Sequence, residues 1–352
     1  MPLDMEKLNQ FMGKMLGDMG AAATGALVVI GDKLGLYKAL AEAGPLTPVE
    51  LAKRTGAAER YLREWLSAQA AAGYVEYQAA AGTYSMRPEQ AAVFADEKSP
   101  VFAAGAFEVI ASMFKDEPKI TDAFRSGKGV GWHEHSQCLF RGTERFFRAG
   151  YAANLVPNWL PVLTGVCDKL KRGAKVADVG CGHGASTVVM AKEYPKSSFI
   201  GFDYHAPSVE RARAAAREAG VEKNCRFEVA DSKKFPGSGY DLVAFFDCLH
   251  DMGDPTGVAK HVRTTLAADG TWLIVEPYAE DKVEGNLNPV GRIFYAASTM
   301  ICVPASLSQE VGLALGAQAG EARLRQVVTA AGFTRFRRAT QTPLNLILEA
   351  RL

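Results

Sequence analysis

From Val176 to Gly184 the chain reads Val-Ala-Asp-Val-Gly-Cys-Gly-His-Gly, an apolar run that ends in alternating glycines. Glycine at 180, 182 and 184 permits positive φ, or lets bare backbone lie against a ligand. Asp178 stands two residues before the first of them, near the carboxyl end of the expected strand, where open α/β sheets bind ligands. A carboxylate there repels a phosphate and suits a ligand carrying ammonium or sulfonium charge. Gly180-x-Gly182-x-x-Ala185, with Asp203 after the next apolar run, also satisfies a loose dinucleotide fingerprint. Two features weigh against a dinucleotide: the acid and extra glycine where a pyrophosphate would sit, and the roughly 170 residues that follow, too few for a separate catalytic domain of ordinary size.

These residues need a parallel sheet to hold them. After Gly173 the chain alternates strands (Val176–Gly180, Ser198–Asp203, Arg226–Ala230, Asp241–Phe246, Thr271–Glu276) with helices (Ala185–Glu193, Ser208–Ala219, Pro255–Leu266). The strands are nearly continuous apolar runs, as in a sheet covered on both faces. Asp254 and Gly270 bound the third helix. An irregular excursion from Asp281 to Gly320 precedes the helix Glu321–Ala331 and two strand-like segments, Thr334–Arg338 and Leu344–Ala350. The fold class is therefore α/β, a doubly wound Rossmann-like sheet.

The first hundred residues follow a different pattern. Leu27–Ala43 has helical apolar spacing and stops at Gly44-Pro45. Thr47-Pro48-Val49-Glu50 supplies an N-cap, a proline at the first helical position and a capping-box acid. A helix Ala58–Ala72 and a hairpin, Tyr74–Tyr77 with Thr83–Met86, complete the order of a winged helix-turn-helix. Three parts are expected: 1–98 winged-helix, 99–165 helical linker forming part of the substrate pocket, and 166–352 ligand-binding domain.

Composition limits the partners. The net charge of +1 gives no general attraction to nucleic acid or anionic membrane. Between Thr47 and Lys98 six Lys/Arg face seven Asp/Glu, a balance of −1, and the wing tip Gln78–Gly82 carries no cation. Phosphate contacts supply most non-specific DNA affinity, so nucleic acid is not the expected partner. Apolar Phe11, Met15, Met19 and Leu27 instead suggest packing against a second copy, a homodimer. The apolar runs Met19–Gly31 and Ser99–Val109 are short for a bilayer, and no basic leader precedes Leu16, so no membrane partner and a cytoplasmic location are expected. Six scattered cysteines without a C-x-x-C argue for free thiols, with neither a disulfide framework nor a structural zinc site.

In order, Asp178–Gly184, Gly201-Phe202-Asp203, Val229-Ala230-Asp231 and Asp241–Asp254 resemble the motifs of class I S-adenosylmethionine-dependent methyltransferases, over about residues 165 to 352. With the winged N-terminal part the chain is similar to small-molecule O-methyltransferases that dimerise through such a domain. The resemblance implies S-adenosylmethionine as cofactor, S-adenosylhomocysteine as product and a small-molecule acceptor. It implies cofactor contacts at Asp178, Gly180, Gly182, Gly184, Asp203, Tyr204, Asp231, Ser232, Phe246 and Asp247. Asp203 would accept both ribose hydroxyls and Asp231 the adenine amino group. The alternative for either acid is a loop cap or turn former.

Leu249-His250-Asp251 resembles the segment in which plant O-methyltransferases carry their catalytic histidine. By that match His250 is the general base for a hydroxyl acceptor, its ordinary pKa near ~6.5 suiting the task, with Asp251 or Asp247 orienting the ring. The alternative is a core histidine. Met252 stands where those enzymes have tryptophan, and Glu321 is three residues out of register with their last acid, so neither Glu276 nor Glu321 is assigned. His133, His135, Phe147, Tyr151 and Tyr295 are candidates for the substrate pocket. The helical spacing of Phe146, Phe147 and Tyr151 also fits a core stripe, and His133-Glu134-His135 also fits a surface loop. No metal is expected. The rival readings are a ligand-sensing winged-helix regulator and a non-methylating enzyme of the same fold.

Overall fold

The computed structural model describes residues 3–352 and divides into two units, Met1–Ser112 with Gln137–Ala149, and Met113–Ser136 with Gly150–Leu352. The stretch expected as a separate linker is thus shared between the units.

The first unit begins with α1 (Met5–Lys33), α2 (Leu36–Ala43), α3 (Pro48–Thr55) and α4 (Glu59–Ala71). A hairpin of β1 (Glu76–Gln78) and β2 (Thr83–Ser85), α5 (Pro88–Phe94), the start of α6 (Ala104–Ser126) and most of α7 (Gln137–Asn154) follow. The single helix expected over Leu27–Ala43 is broken, because Gly35 adopts φ 66° and restarts the chain as α2. Thr47 and Glu50 form the expected capping box. Leu36, Tyr37, Leu40, Leu51, Leu62, Trp65, Leu66 and Tyr84 close one core. The helices α6 and α7 cross at Gly105 and Gly142, where an added Cβ would come within 2.8 Å of the facing helix. Beside that crossing Arg145 joins Asp32 and Glu97. α1 is mostly exposed and presents Phe11, Met12, Leu16 and Met19 to solvent. The expectation that apolar stretches are too short for a bilayer is revised for two helices, Met5–Lys33 and Pro289–Leu307, which are long and apolar enough to cross one; a core helix meets the same test.

The second unit carries α8 (Val166–Arg172), β3 (Lys175–Val179), α9 (Ala185–Glu193), β4 (Ser198–Asp203), α10 (Ala206–Ala219), β5 (Cys225–Val229), β6 (Tyr240–Phe246), α11 (Pro255–Thr265) and β7 (Leu266–Pro277). Then come α12 (Pro289–Ala297), α13 (Val303–Leu307), α14 (Gly320–Ala330), β8 (Arg335–Gln341) and β9 (Asn345–Arg351). The sheet order is β5-β4-β3-β6-β7-β9-β8. β3 to β7 pair in parallel, and β9 pairs antiparallel with both β7 and β8. Phe202, Val243, Phe245, Trp272, Ile274 and Leu348 are buried between the sheet and its helices. The excursion expected to be irregular is largely helical, as α12 and α13 joined by a π-turn at Ser298–Cys302.

Candidate active site

The strand order reverses at β3, which has β4 on one side and β6 on the other. Their carboxyl ends therefore flank the switch point where such sheets bind ligands. The three glycines there divide the work. Gly180, Gly182 and Gly184 all have positive φ, 75°, 52° and 80°. A Cβ on Gly180 would lie 2.7 Å from Cys248 Sγ, and one on Gly184 2.6 Å from the Phe227 ring, whereas one on Gly182 would meet nothing within 4 Å. The outer glycines seat the loop on its neighbours, and the middle one leaves backbone open.

Asp178 does not face that opening. It is fully buried, and its Oδ2 accepts from Ser186 Oγ (2.7 Å) and Thr187 Oγ1 (2.6 Å) in the first turn of α9. Its Oδ1 has no partner, and burial pushes the carboxyl up to about 6. The reading of Asp178 as an acid displayed to a cationic ligand is corrected in this respect: its geometry pins the loop to the helix.

Asp203 ends β4 and closes over the loop. Its Oδ2 accepts from Gly182 N (2.9 Å) and its Oδ1 from His205 N (2.8 Å). An ionised carboxylate has about four acceptor positions, so about two remain, the number a vicinal diol requires. Burial raises its pKa, against these two bonds. Tyr204 beside it is half exposed, with its ring 6.2 Å from that of His133. Asp231 is exposed and accepts from Lys233 N (2.7 Å), so the turn-forming alternative is realised there, with the half-buried Ser232 next to it.

The segment after β6 is the most constrained part of the site. Phe246 is buried, and Asp247 takes φ 51°, a left-handed backbone costly for a residue with a Cβ. The Asp247 carboxylate accepts from Tyr151 Oη (2.8 Å) and Asn345 Nδ2 (3.0 Å). Burial and then the Glu276 charge push it up to about 7. Tyr151, expected in the substrate pocket, is itself buried with its ring 5.3 Å from Phe246.

His250 is 3% exposed and braced by acids on both sides. Its Nδ1 lies 2.6 Å from Glu276 Oε2 and its Nε2 3.2 Å from Asp251 Oδ1. Burial opposes its charge, but Glu276 and then Asp251 outweigh it and raise the pKa well above 6.5. The expectation of an ordinary pKa is therefore corrected upward. Glu276, which sequence reasoning left unassigned, holds the ring through Nδ1 while also accepting from Leu249 N (3.0 Å), whereas Asp251 Oδ1 lies beside Nε2 without a hydrogen bond and Asp247 is bonded elsewhere. A lone acid ending the apolar run Leu273–Glu276 was the available signal.

The excursion folds back onto this segment. Ser306 Oγ donates to Met252 O (2.9 Å), and Gln309 bridges Asp251 O and Gly253 N. His250, Asp251 and Cys302 bring ligand-capable atoms within 4.8 Å of one another. Burial pushes the Cys302 thiol up to about 12, so a metal there would have to displace its proton. Tyr295 is half-buried on α12. Phe147 lies in the first unit, half-buried with its ring 5.1 Å from Phe146.

His133 and His135 occupy a tight turn, Trp132–Glu134, and its end. His133 is exposed, His135 buried. The turn is tied to α13 by Val130 N donating to Pro304 O (3.0 Å), and Gly129 packs against the Leu307–Ser308 backbone.

A doubly wound sheet with an open glycine turn and a closing acid at its switch point defines a small-ligand-binding α/β domain. Residues 170–331 match the family described as a methyltransferase domain, and residues 22–96 the Rv2258c-like winged HTH domain. The chain thus carries a methyltransferase domain behind a winged helix-turn-helix domain. The sterol 24-C-methyltransferase of Aspergillus fumigatus is 28% identical over 171 residues, 47% of this chain and 42% of the relative. An uncharacterized methyltransferase of Bacillus subtilis is 33% identical over 112 residues, 31% and 43% of the two chains. The chain spans about half the length, or less, of these curated relatives. Solved structures share the fold over nearly the whole chain. Mitomycin 7-O-methyltransferase matches with TM-score 0.71 at 18% identity, over 99% of this chain and 100% of that one. Human N-acetylserotonin methyltransferase, in complex with S-adenosylmethionine, matches with TM-score 0.69 at 18% identity, over 97% of each.

Proposed function

We propose that this protein transfers the methyl group of S-adenosylmethionine to a hydroxyl of a small molecule. The observation that carries this reading is the open backbone at Gly182 with Asp203 closing over it, at the switch point of a methyltransferase domain. When bound, the cofactor supplies a methyl group on a sulfonium, and in-line transfer needs alignment and exclusion of water more than chemistry from the protein. Gly180, Gly182 and Gly184 form the floor under the amino-acid part, and the remaining acceptor positions of Asp203 take the ribose hydroxyls. Asp231, Ser232 and Tyr204 line the base end, and Phe246 and Asp247 the side facing the acceptor. His250, oriented through Nδ1 by Glu276, is the base for the acceptor hydroxyl in this reading. The names of the similar structures, a 7-O-methyltransferase and a complex with S-adenosylmethionine, support the same acceptor and cofactor.

The protein is further proposed to act as a homodimer in the cytoplasm. Met5, Leu8, Met12, Met15 and Met19 recur on α1 at alternating spacings of three and four, the pattern of a coiled-coil seam. The six cysteines are free, as in a reducing compartment. The chemistry is tested by incubating the protein with methyl-labelled S-adenosylmethionine and a panel of phenols and primary amines. Label appearing as a methyl ether, with S-adenosylhomocysteine released, is the expected result; label on nitrogen alone would overturn the hydroxyl assignment.

A further inference from the structure

The turn Leu249–Asp251 after β6 sets two polar atoms against each other without a bond between them. His250 is fixed from one side, its Nδ1 2.6 Å from Oε2 of the buried Glu276. A carboxylate there keeps a proton on Nδ1 and leaves Nε2 as the ring's exchangeable position. On that side Asp251 Oδ1 lies 3.2 Å away, itself buried and without a hydrogen-bond partner. A cation between the two would satisfy both. Cys302 stands on the third side, and the three residues bring one ligand-capable atom each within 4.8 Å of one another.

The fold holds this trio together within the second unit. Cys302 ends the π-turn Ser298–Cys302 between α12 and α13, an irregularity that recurs at functional sites. The chain beyond it is fastened to the turn by three bonds. Ser306 Oγ donates to Met252 O (2.9 Å), Gln309 Nε2 to Asp251 O (2.8 Å) and Gly316 N to His250 O (3.3 Å).

One nitrogen, one oxygen and one sulfur suit a zinc-like cation, whereas magnesium and calcium take shells of oxygen. In a tetrahedral zinc site nitrogen and oxygen ligands sit about 3.3 Å apart, and each about 3.6 Å from sulfur. The 3.2 Å between His250 and Asp251 matches the first edge. Sulfur has at most about 1 Å to close. Asp251 and a Cys302 thiolate supply two negative charges for the cation's two. Glu276 occupies the place of the outer carboxylate that orients a metal-bound histidine.

We propose that His250 Nε2, Asp251 Oδ1 and Cys302 Sγ form a site for one zinc-like divalent cation, whose binding inhibits methyl transfer. The inhibition rests on the methyltransferase reading, because the metal takes the Nε2 position that would receive the hydroxyl proton; the coordination does not. On binding, the Cys302 S–H bond breaks and the pair left on sulfur binds the metal. The thiol proton leaves to solvent, with any carried by Nε2.

The test uses full-length protein stripped with EDTA and refilled with Co²⁺ or Zn²⁺. Co²⁺ should give a thiolate-to-cobalt charge-transfer band that Cys302→Ser abolishes, and that variant should bind Zn²⁺ at least about 10-fold more weakly. Wild-type crystals soaked in Zn²⁺ should show anomalous scattering between the three side chains, a readout that needs no variant. No band, a band kept in Cys302→Ser, or zinc found only elsewhere would overturn the site. With a phenol that accepts methyl label, saturating Zn²⁺ should lower turnover at least about 10-fold, and Mg²⁺ should leave it unchanged. Cys302→Ser should keep wild-type turnover with either ion. Full turnover with zinc bound would overturn the inhibition. If S-adenosylmethionine did not bind and no phenol were methylated, the methyltransferase reading would fall and the inhibition with it, while the band and the anomalous peak would still decide the site.

Discussion

Asp203 gives the sharpest residue-level prediction, because its two spare acceptor positions are assigned to one ligand fragment. Each charge-assisted bond is worth about 1.5–3 kcal/mol, so Asp203→Ala should weaken S-adenosylmethionine binding at least about 10-fold by calorimetry. Unchanged affinity would reduce Asp203 to a loop cap for Gly182. The buried acids make a second prediction. Asp178 and Asp247 have folded pKa values of about 6 and about 7, raised above the ordinary 3.8. The native state then binds more protons than the unfolded chain between pH ~4 and ~7, so these groups lower stability as pH rises through that window. Asp247→Asn should flatten the fall of Tm between pH 5 and 8, because Tyr151 and Asn345 can still bond a neutral amide. His250 carries a raised pKa as well, so its contribution is full below pH ~6.5 and is lost only as pH climbs through its folded value. A Tm profile equally steep in Asp247→Asn would contradict the assignment.

Among the elements, the capping box at the head of α3 is the simplest to isolate. Thr47 accepts from Glu50 N (3.2 Å) and Glu50 bonds back to Thr47 N (2.7 Å). Thr47→Ala should cost about 1 kcal/mol, lowering the Tm of the first unit by a few degrees in calorimetry; no change would mean that packing of Leu51 alone holds the helix. The α1 seam makes a different prediction. Met12→Glu with Met15→Glu should convert a dimer to a monomer in sedimentation without lowering Tm, since neither side chain joins the core of its own unit. A monomeric wild type would remove the seam. Elements were legible in the sequence wherever a local rule governed them: β4 and α9 fall at the residues read from apolar runs and flanking turns. The Gly35 break in the first long helix was not legible, because a glycine inside a periodic pattern can also be tolerated within a helix. Nor was the helicity of 289–307, which fell inside the excursion expected to be irregular.

For the molecule as a whole, the glycine turn after β3 and the acid ending β4 were legible because glycines and strand-end acids are local marks. The sequence did not show the partner of His250, because Glu276 is 26 residues away and meets it only when β6 and β7 lie side by side. The Asp116–His135 pair was hidden for the same reason, being 19 residues apart and brought together by a turn. Charge also bears on the rival regulator reading: the wing lacks cations, so a DNA retardation assay at moderate salt should show no shift. A salt-sensitive shift would favour a regulator. The most direct test of the central claim is calorimetric titration of wild-type protein with S-adenosylmethionine and, separately, with NAD. Saturable one-site binding of the sulfonium compound, with none of NAD, is the predicted result; uptake of NAD with indifference to S-adenosylmethionine would contradict it.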